Sequence, residues 1–366
     1  MSPMIETLLS DDVPSVKTIP SSITAPSIKE APVNDAPVKE APVNGAAVKA
    51  PAAFPAPFNK RQIPPSGLTA LYHPLAEKTI KEVNDFFLEH WPFESEKYKS
   101  RFGVEGWCRV TCYYVCQSLD DRLALACRLV VVLFLIDDIL ESMSLDEGRA
   151  YNARLMPIFR GDELPDRNVP VEWISYDIWQ DLRACDRELA DEMLEPVFAF
   201  MRAQTDPIRL QKLDLGSYLE YREADVGKGV LSALIRYTGA LRLSAEELAI
   251  AKPVDRNCAR HLSVINDIWS YEKEVHAAAH LHEEGGVLCT SVAILAEEAH
   301  MSIDSSKRVL YQLCREWEIS HEVLVEAALA QKDTPDMRAY LLRIEYQMAG
   351  NEFWSRTTPR YLNPTY

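Results

Sequence analysis

The run ARHLSVINDIWSYEKEVH, residues 259–276, holds neither proline nor glycine, and its apolar residues recur at a spacing near 3.6, the period of an amphipathic helix. On such a helix Asn266, Ser270 and Glu274 stand at i, i+4 and i+8. They therefore line one stripe, each about 6 Å beyond the last. An amide carbonyl, a hydroxyl and a carboxylate are hard oxygen donors. Together they suit Mg²⁺, which keeps several waters and is commonly completed by substrate phosphates. Asn and Ser are poor choices for a helix interior, so a stripe that carries both and ends in Glu274 asks for a reason that packing does not supply. The competing reading is an ordinary helix with a polar face.

Working outward, Glu172–Met201 and Tyr218–Thr238 repeat the helical spacing. Pro157, Gly161-Asp162, Pro165, Pro253 and Gly285-Gly286 are expected to break the chain between helices. The β-branched run Val130–Ile136 could be a strand by itself. Its flanks, Asp121–Cys127 and Asp138–Met143, keep helical spacing, which makes it a helix buried all round. No strand–helix alternation, Gly-x-Gly-x-x-Gly or P-loop sequence occurs. The expected fold class is all-α.

That apolar helix runs into a second acidic group, Asp137-Asp138-Ile139-Leu140-Glu141. Asp137 and Glu141 lie about 40° apart around the helix, whereas Asp138 points about 100° away. Asp137 is the better inward oxygen ligand, and Asp138 is better placed to orient a neighbouring Arg. Taken alone, such a cluster reads equally well as a solvated helix end. A metal cluster that holds a diphosphate needs basic partners: Arg222, Lys228, Lys273 and the Arg360-Tyr361 pair are candidates. A bidentate guanidinium matches phosphate oxygens better than an ammonium, which ranks Arg222 and Arg360 first. Gly227-Lys228-Gly229 is expected to weaken or break its helix and free backbone groups toward a cavity.

The 366 residues include 55 acidic and 39 basic, a formal charge of −16, with 47% hydrophobic. An acidic chain is a poor match for nucleic acid, which needs clustered Lys and Arg, and no apolar run reaches the roughly 18 residues of a membrane span. Eight cysteines without a Cys-x-x-Cys pair read as reduced thiols of a cytosolic protein. Met1–Ser10 has neither the basic start nor the apolar stretch of a secretory signal. Residues 1–65 stand apart. They hold 12 of the 23 prolines, and APVND, APVKE, APVNG and AAVKA repeat between Ala31 and Ala50. Proline blocks helix and sheet alike, large apolar groups are few, and the segment is expected to be a disordered extension. Its six acidic and six basic residues cancel, so the whole charge falls on a second domain, residues 66–366.

DDILE followed by NDIWSYEKE resembles the paired metal motifs of class I terpene synthases, the second fitting Asn-Asp-x-x-Ser-x-x-x-Glu at each defining position. LFLIDDILESMS, MRAQTD, YLEYREADVGK, LSALIRY, EYQMAGNEFWS and TTPRY extend the likeness over nearly all of residues 68–361, toward fungal members that make aristolochene. The resemblance implies a helical bundle around a central cavity. It also implies Mg²⁺-dependent ionisation of farnesyl diphosphate and cyclisation through germacrene A. Three Mg²⁺ ions are implied, with Asp137 ligating two and Asn266, Ser270 and Glu274 chelating the third. Arg222 resembles a diphosphate sensor, with Asp225 as its linker and Val226 at the helix break. Lys273, Arg360 and Tyr361 match residues that bond the diphosphate when the site closes. Tyr114, Phe134, Phe200 and Trp354 match an aromatic contour that shapes the hydrocarbon, where ring faces favour a passing cation by about 0.5–2 kcal/mol each. Glu141 stands where the Asp-rich motif otherwise ends in Asp.

The alternatives are a sibling cyclase with another product, a prenyl-elongating enzyme and a non-catalytic helical interaction protein. A prenyl-elongating enzyme would need a second Asp-rich motif where Asn266 and Ser270 stand. The proton donor is not legible: Tyr114 and bound diphosphate both remain open. The expected partner is farnesyl diphosphate, without nucleic acid or membrane span, and a homo-oligomer stays open. Cys108, Cys112 and Cys116 share a helical face and read as buried apolar groups rather than zinc ligands. His276, His280 and His282 read as part of a mobile connection. Deleting residues 1–60 is expected to leave cyclase turnover within about twofold of the full chain, because a disordered extension contributes no packing; a steady-state assay of both proteins checks this.

Overall fold

The computed structural model describes residues 46–47, 64–281 and 284–362. Among these, thirteen α-helices follow in order: α1 (Ala76–His90), α2 (Glu96–Glu105), α3 (Trp107–Tyr114), α4 (Asp120–Leu140), α5 (Leu145–Arg160), α6 (Pro170–Gln204), α7 (Leu215–Asp225), α8 (Lys228–Gly239), α9 (Ala245–Leu281), α10 (Ser291–Glu298), α11 (Ile303–Gln331), α12 (Pro335–Thr357) and α13 (Pro359–Leu362). Two-residue strands β1 (Ala46–Ala47) and β2 (Leu71–Tyr72) pair antiparallel. The fold is an all-α bundle, and no described helix is long and apolar enough to cross a membrane.

The expected all-round burial of Val130–Ile136 is met by α4, where Leu129, Val131 and Val132 are buried on successive faces. It packs against α1, α3, α6 and α8 and so forms the axis of the larger apolar cluster. On the other side α9 packs against α7, α10, α11 and α12. Val264, Ile265, Ile268 and Trp269 turn one face of α9 into a second apolar cluster with α10 and α11. Two buried apolar faces thus fix two long helices, and each helix carries one of the acidic motifs identified above.

Several boundaries differ from the sequence expectation. Pro157 and Pro253 do not end their helices; they sit inside α5 and α9. For Pro253 the flanking Ala251, Val254 and Cys258 are buried, and that packing outweighs the single ladder bond a proline removes. Conversely, the stretch Glu172–Met201 kinks at Asp186, whose φ/ψ of −155°/93° leave the helical region. The Asp186 carboxylate instead accepts from Arg122 (2.9 Å) and Arg242 (2.9 and 3.0 Å). The break within Tyr218–Thr238 falls where glycine was expected to place it, at Gly227 with φ 71°. The extension read as structureless contributes strand β1 at Ala46–Ala47, since backbone pairing needs no large side chain; its remaining residues to Ile63 lie outside the described residues, as does His282.

One close approach sets the distance between α12 and α3. A Cβ on Gly350 would stand 2.7 Å from Tyr113 Cβ and 3.3 Å from its carbonyl oxygen. Gly350→Ala is expected to force the helices apart and to destabilise the fold by about 1–3 kcal/mol, read as a lowered midpoint in urea denaturation with an unchanged slope.

Candidate active site

The C-terminal end of α4 and the middle of α9 face a single cavity of about 210 Å³. Twelve of the thirteen residues proposed from sequence line it: Asp137, Asn266, Ser270 and Glu274; Arg222, Lys273, Arg360 and Tyr361; and Tyr114, Phe134, Phe200 and Trp354. Lys228 does not. Its ammonium is buried and donates to Ser232 (2.5 Å) and Asp255 (2.8 Å), so it ties α8 to α9 behind the cavity. Gly227 takes the left-handed conformation just before it and caps α8 at its N-terminus, and the side chain that follows is turned into the core.

The α4 wall is carboxylate-rich. Oxygens of Asp137, Asp138 and Glu141 lie within 4.8 Å of one another. Gln204, at the end of α6, donates its amide N–H to Asp137 Oδ1. Burial, then the charges of Glu141 and Asp138, push the Asp137 carboxyl up to about 7. Glu141 goes the other way: burial works to raise it, but Lys273 and Arg360 outweigh that and hold it below the ordinary carboxylate range. Asp138 lies outside the cavity lining and accepts from Arg360 Nη2 (3.2 Å), the Arg-orienting role its helical angle suggested.

On the α9 wall Ser270 Oγ donates to Glu274 Oε1 (2.5 Å), while Asn266 accepts from Arg222 (3.0 Å) and donates to the Tyr361 hydroxyl (2.8 Å). Asp267 points away, its Oδ2 accepting from Tyr218 (2.7 Å) and from the Ser291 backbone N–H (2.9 Å) and hydroxyl (2.6 Å). Those bonds anchor α9 to α7 and α10. Burial, and then the charge of Asp267, raise the Glu274 carboxyl. Arg222, at the end of α7, also pairs with Asp225 beside the Val226–Gly227 break.

The walls are joined directly. Lys273 Nζ on α9 donates to Glu141 Oε1 on α4 at 3.0 Å. Burial works against its charge, yet Glu141 and Asp138 push the ammonium up to about 12, so it stays cationic. Arg360 closes the rim by bonding Glu105 (2.5 Å), and its guanidinium lies over the Trp107 ring. Beneath this polar rim the lining turns apolar and aromatic. Phe134 stacks on Trp107 with ring centres 5.5 Å apart, and Trp354 meets Tyr361 edge-on at 5.3 Å. The Tyr114 hydroxyl donates to Asn351 Oδ1 at 2.7 Å, and burial raises its pKa well above the ordinary phenol value.

Residues that the sequence reading missed are Gln204, Arg209 and Asn351, all lining the cavity. Gln204 sits inside the MRAQTD stretch noted for its likeness, but no periodicity singles out one amide there. Backbone docking was equally illegible: Gly285 N–H donates to the Met143 carbonyl (3.1 Å), and a Cβ on Gly285 would stand 2.1 Å from the Leu140 carbonyl oxygen.

Two further clusters have metal-like composition. His261, Glu318 and Glu352 converge in the core, but Arg315 bridges both carboxylates. Cys108 and Cys112 are joined by Cys127 of α4 rather than by Cys116; all three thiols are free and buried. The α4 and α9 oxygens are the better fit to a hard divalent cation. Asp137 and Glu141 are like charges held together with partial compensation, and Ser270 and Glu274 satisfy each other for want of another partner. An oxygen-loving cation relieves both.

The comparisons with known proteins agree with this geometry. A family model described as terpene synthase family 2, C-terminal metal binding, matches residues 128–319. The aristolochene synthase of Aspergillus terreus is 56% identical over 81% of this chain and 93% of its own length. The (+)-aristolochene synthase TS1 of Penicillium expansum is 55% identical over 82% and 91%. The crystal structure of aristolochene synthase from Penicillium roqueforti superposes with a TM-score of 0.73 at 51% identity, over 81% of this chain and 99% of that one. With a metal motif on each wall and that degree of identity, the chain belongs to the terpene synthase family.

Proposed function

We propose that the chain is a sesquiterpene cyclase that converts farnesyl diphosphate to aristolochene and diphosphate, by way of germacrene A, with three Mg²⁺ ions. The observation that carries this reading is the division of one cavity into a charged rim spanned by Lys273–Glu141 and an aromatic interior. The charged rim suits ionisation of an allylic diphosphate, and the aromatic interior suits protection of the cation that results.

Asp137 on one wall, and Asn266, Ser270 and Glu274 on the other, would hold the ions, which supply Lewis-acid stabilisation of the departing diphosphate. Gln204 orients Asp137 by its amide bond. Arg222, Lys273, Arg360 and Tyr361 present N–H and O–H donors to the charge that grows on the leaving group, and fixed donors in a partly dry site are worth more than the same donors in water. Each of the three cations already leans on a carboxylate, which keeps it charged and aimed without a ligand. Phe134, Phe200 and Trp354 turn ring faces or edges to the hydrocarbon and exclude water. Tyr114 belongs to that wall and is a poor acid: its proton is committed to Asn351 and its pKa is raised. Bound diphosphate is then the better proton donor for germacrene A. Lys228, buried against Asp255, takes no part in binding. Eight free cysteines accord with a reducing, cytosolic setting.

With Mg²⁺ and farnesyl diphosphate the purified protein is expected to release aristolochene, identified by gas chromatography–mass spectrometry against an authentic standard. A different hydrocarbon assigns it to a sibling cyclase, and elongated products in the presence of isopentenyl diphosphate overturn the cyclase reading. Asn266→Leu is expected to lower turnover by at least about 10²-fold, the loss of fixed transition-state stabilisation, with an unchanged circular dichroism spectrum. Mg²⁺ must displace the proton that Asp137 carries below about pH 7, so apparent Mg²⁺ affinity is expected to rise by about tenfold from pH 6 to pH 8, as calorimetry at several pH values would record; an affinity that falls over this range contradicts the assignment.

A further inference from the structure

Among the described residues four cations line the cavity: Arg209, Arg222, Lys273 and Arg360. Three of them are in ion pairs, with Asp225, Glu141 and the Glu105–Asp138 couple respectively. Arg209 differs. No described carboxylate stands within ion-pairing distance of it, and its one hydrogen bond runs from Nη1 to the backbone carbonyl of Gln204 at 2.6 Å. Its Nε is buried without a partner. A guanidinium has five N–H donors in a planar fork, and here one is used.

The side chain is nevertheless held in place. It sits on a 3₁₀ turn, Pro207–Leu210, whose preceding Asp206 side chain accepts from the Ile208 N–H at 2.9 Å. This turn links α6 to α7 and places Arg209 in the same cavity lining as Gln204, Asp137, Tyr221 and Asp225. Burial disfavours the charge, and the more distant Asp225, Tyr221 and Asp137 offset that. A partly buried cation without a contacting anion is costly to keep. In a cavity edged by three paired cations, the unpaired one is the group an incoming anion completes.

We propose that Arg209 is a fourth basic ligand of the diphosphate and reaches it from the turn between α6 and α7. The proposal rests on the cyclase reading of the site. The bland alternative is that Arg209 only pins the end of α6, so that Gln204 can hold Asp137. That alternative predicts a defect in metal binding by itself; the proposal predicts a defect that needs the anion.

The test is calorimetry on the full chain with inorganic diphosphate in saturating Mg²⁺, and separately with Mg²⁺ alone. Arg209→Gln keeps a donor for the Gln204 carbonyl and removes the charge. It is expected to weaken diphosphate binding by roughly tenfold or more, as for loss of a charge-assisted bond, with Mg²⁺ binding unchanged. Arg209→Lys, which restores charge without the fork, is expected to recover part of the loss and guards against a misfolded glutamine variant. Diphosphate binding within twofold of the parent in Arg209→Gln overturns the proposal, as does a loss that falls equally on Mg²⁺ alone. If the parent protein itself binds no Mg²⁺–diphosphate, the reading of the whole site fails and Arg209 fails with it, an outcome distinct from failure of Arg209 alone.

Discussion

The ammonium of Lys273, 3.0 Å from Glu141, is the contact on which the rest of the site turns. It spans from α9 to Glu141 at the end of α4 and ties the two walls of the cavity together. Like charges on facing helices repel, and in a buried setting that repulsion is strong. A cation between them turns a liability into a brace. The same logic recurs around the rim. Arg360 is held between Glu105 and Asp138, and Arg222 between Asp225 and Asn266. The acidic excess of the chain is therefore locally balanced where catalysis would occur.

Stability and chemistry are divided between the faces of the same helices. On α9 the residues beside Asn266 and Ser270 are committed to structure: Asp267 to Tyr218 and Ser291, and Trp269 to the apolar cluster with α10 and α11. Asn266, Ser270 and Glu274 are consequently presented to the cavity from a firmly packed helix, as a preorganised site requires. On α4 Val130, Leu133 and Phe134 bring apolar groups to the cavity, and the carboxylates follow at the end of the same helix.

The helical class and the two motifs were legible in the sequence because each depends on spacing within one helix, and 100° per residue is enough to say which side chains share a face. The aromatic lining, drawn from four helices, was expected only through the family resemblance. Lys228 shows where such reasoning stops. Its neighbours Gly227 and Gly229 marked the helix break correctly, but the direction of the lysine is decided by Asp255 and Ser232, 27 and four residues away. Gln204 and Arg209 were invisible for a related reason. Gln204 matters because of Asp137, 67 residues away, and Arg209 sits on a short turn with no periodicity to betray it. The kink at Asp186 was hidden likewise, since it is Arg122 and Arg242 that draw the residue out of the helix.

The docking of Gly285 against the carbonyls of Leu140 and Met143 bears on how this scaffold can diversify. Product variation in such a cavity is open to substitutions along the aromatic interior, where side chains can trade volume. At Gly285 main chain meets main chain, and there is no side chain to trim in compensation. Libraries built to redirect the hydrocarbon can vary the interior, but at this loop any residue with a β-carbon disturbs the seam with the end of α4 before it ever alters a product.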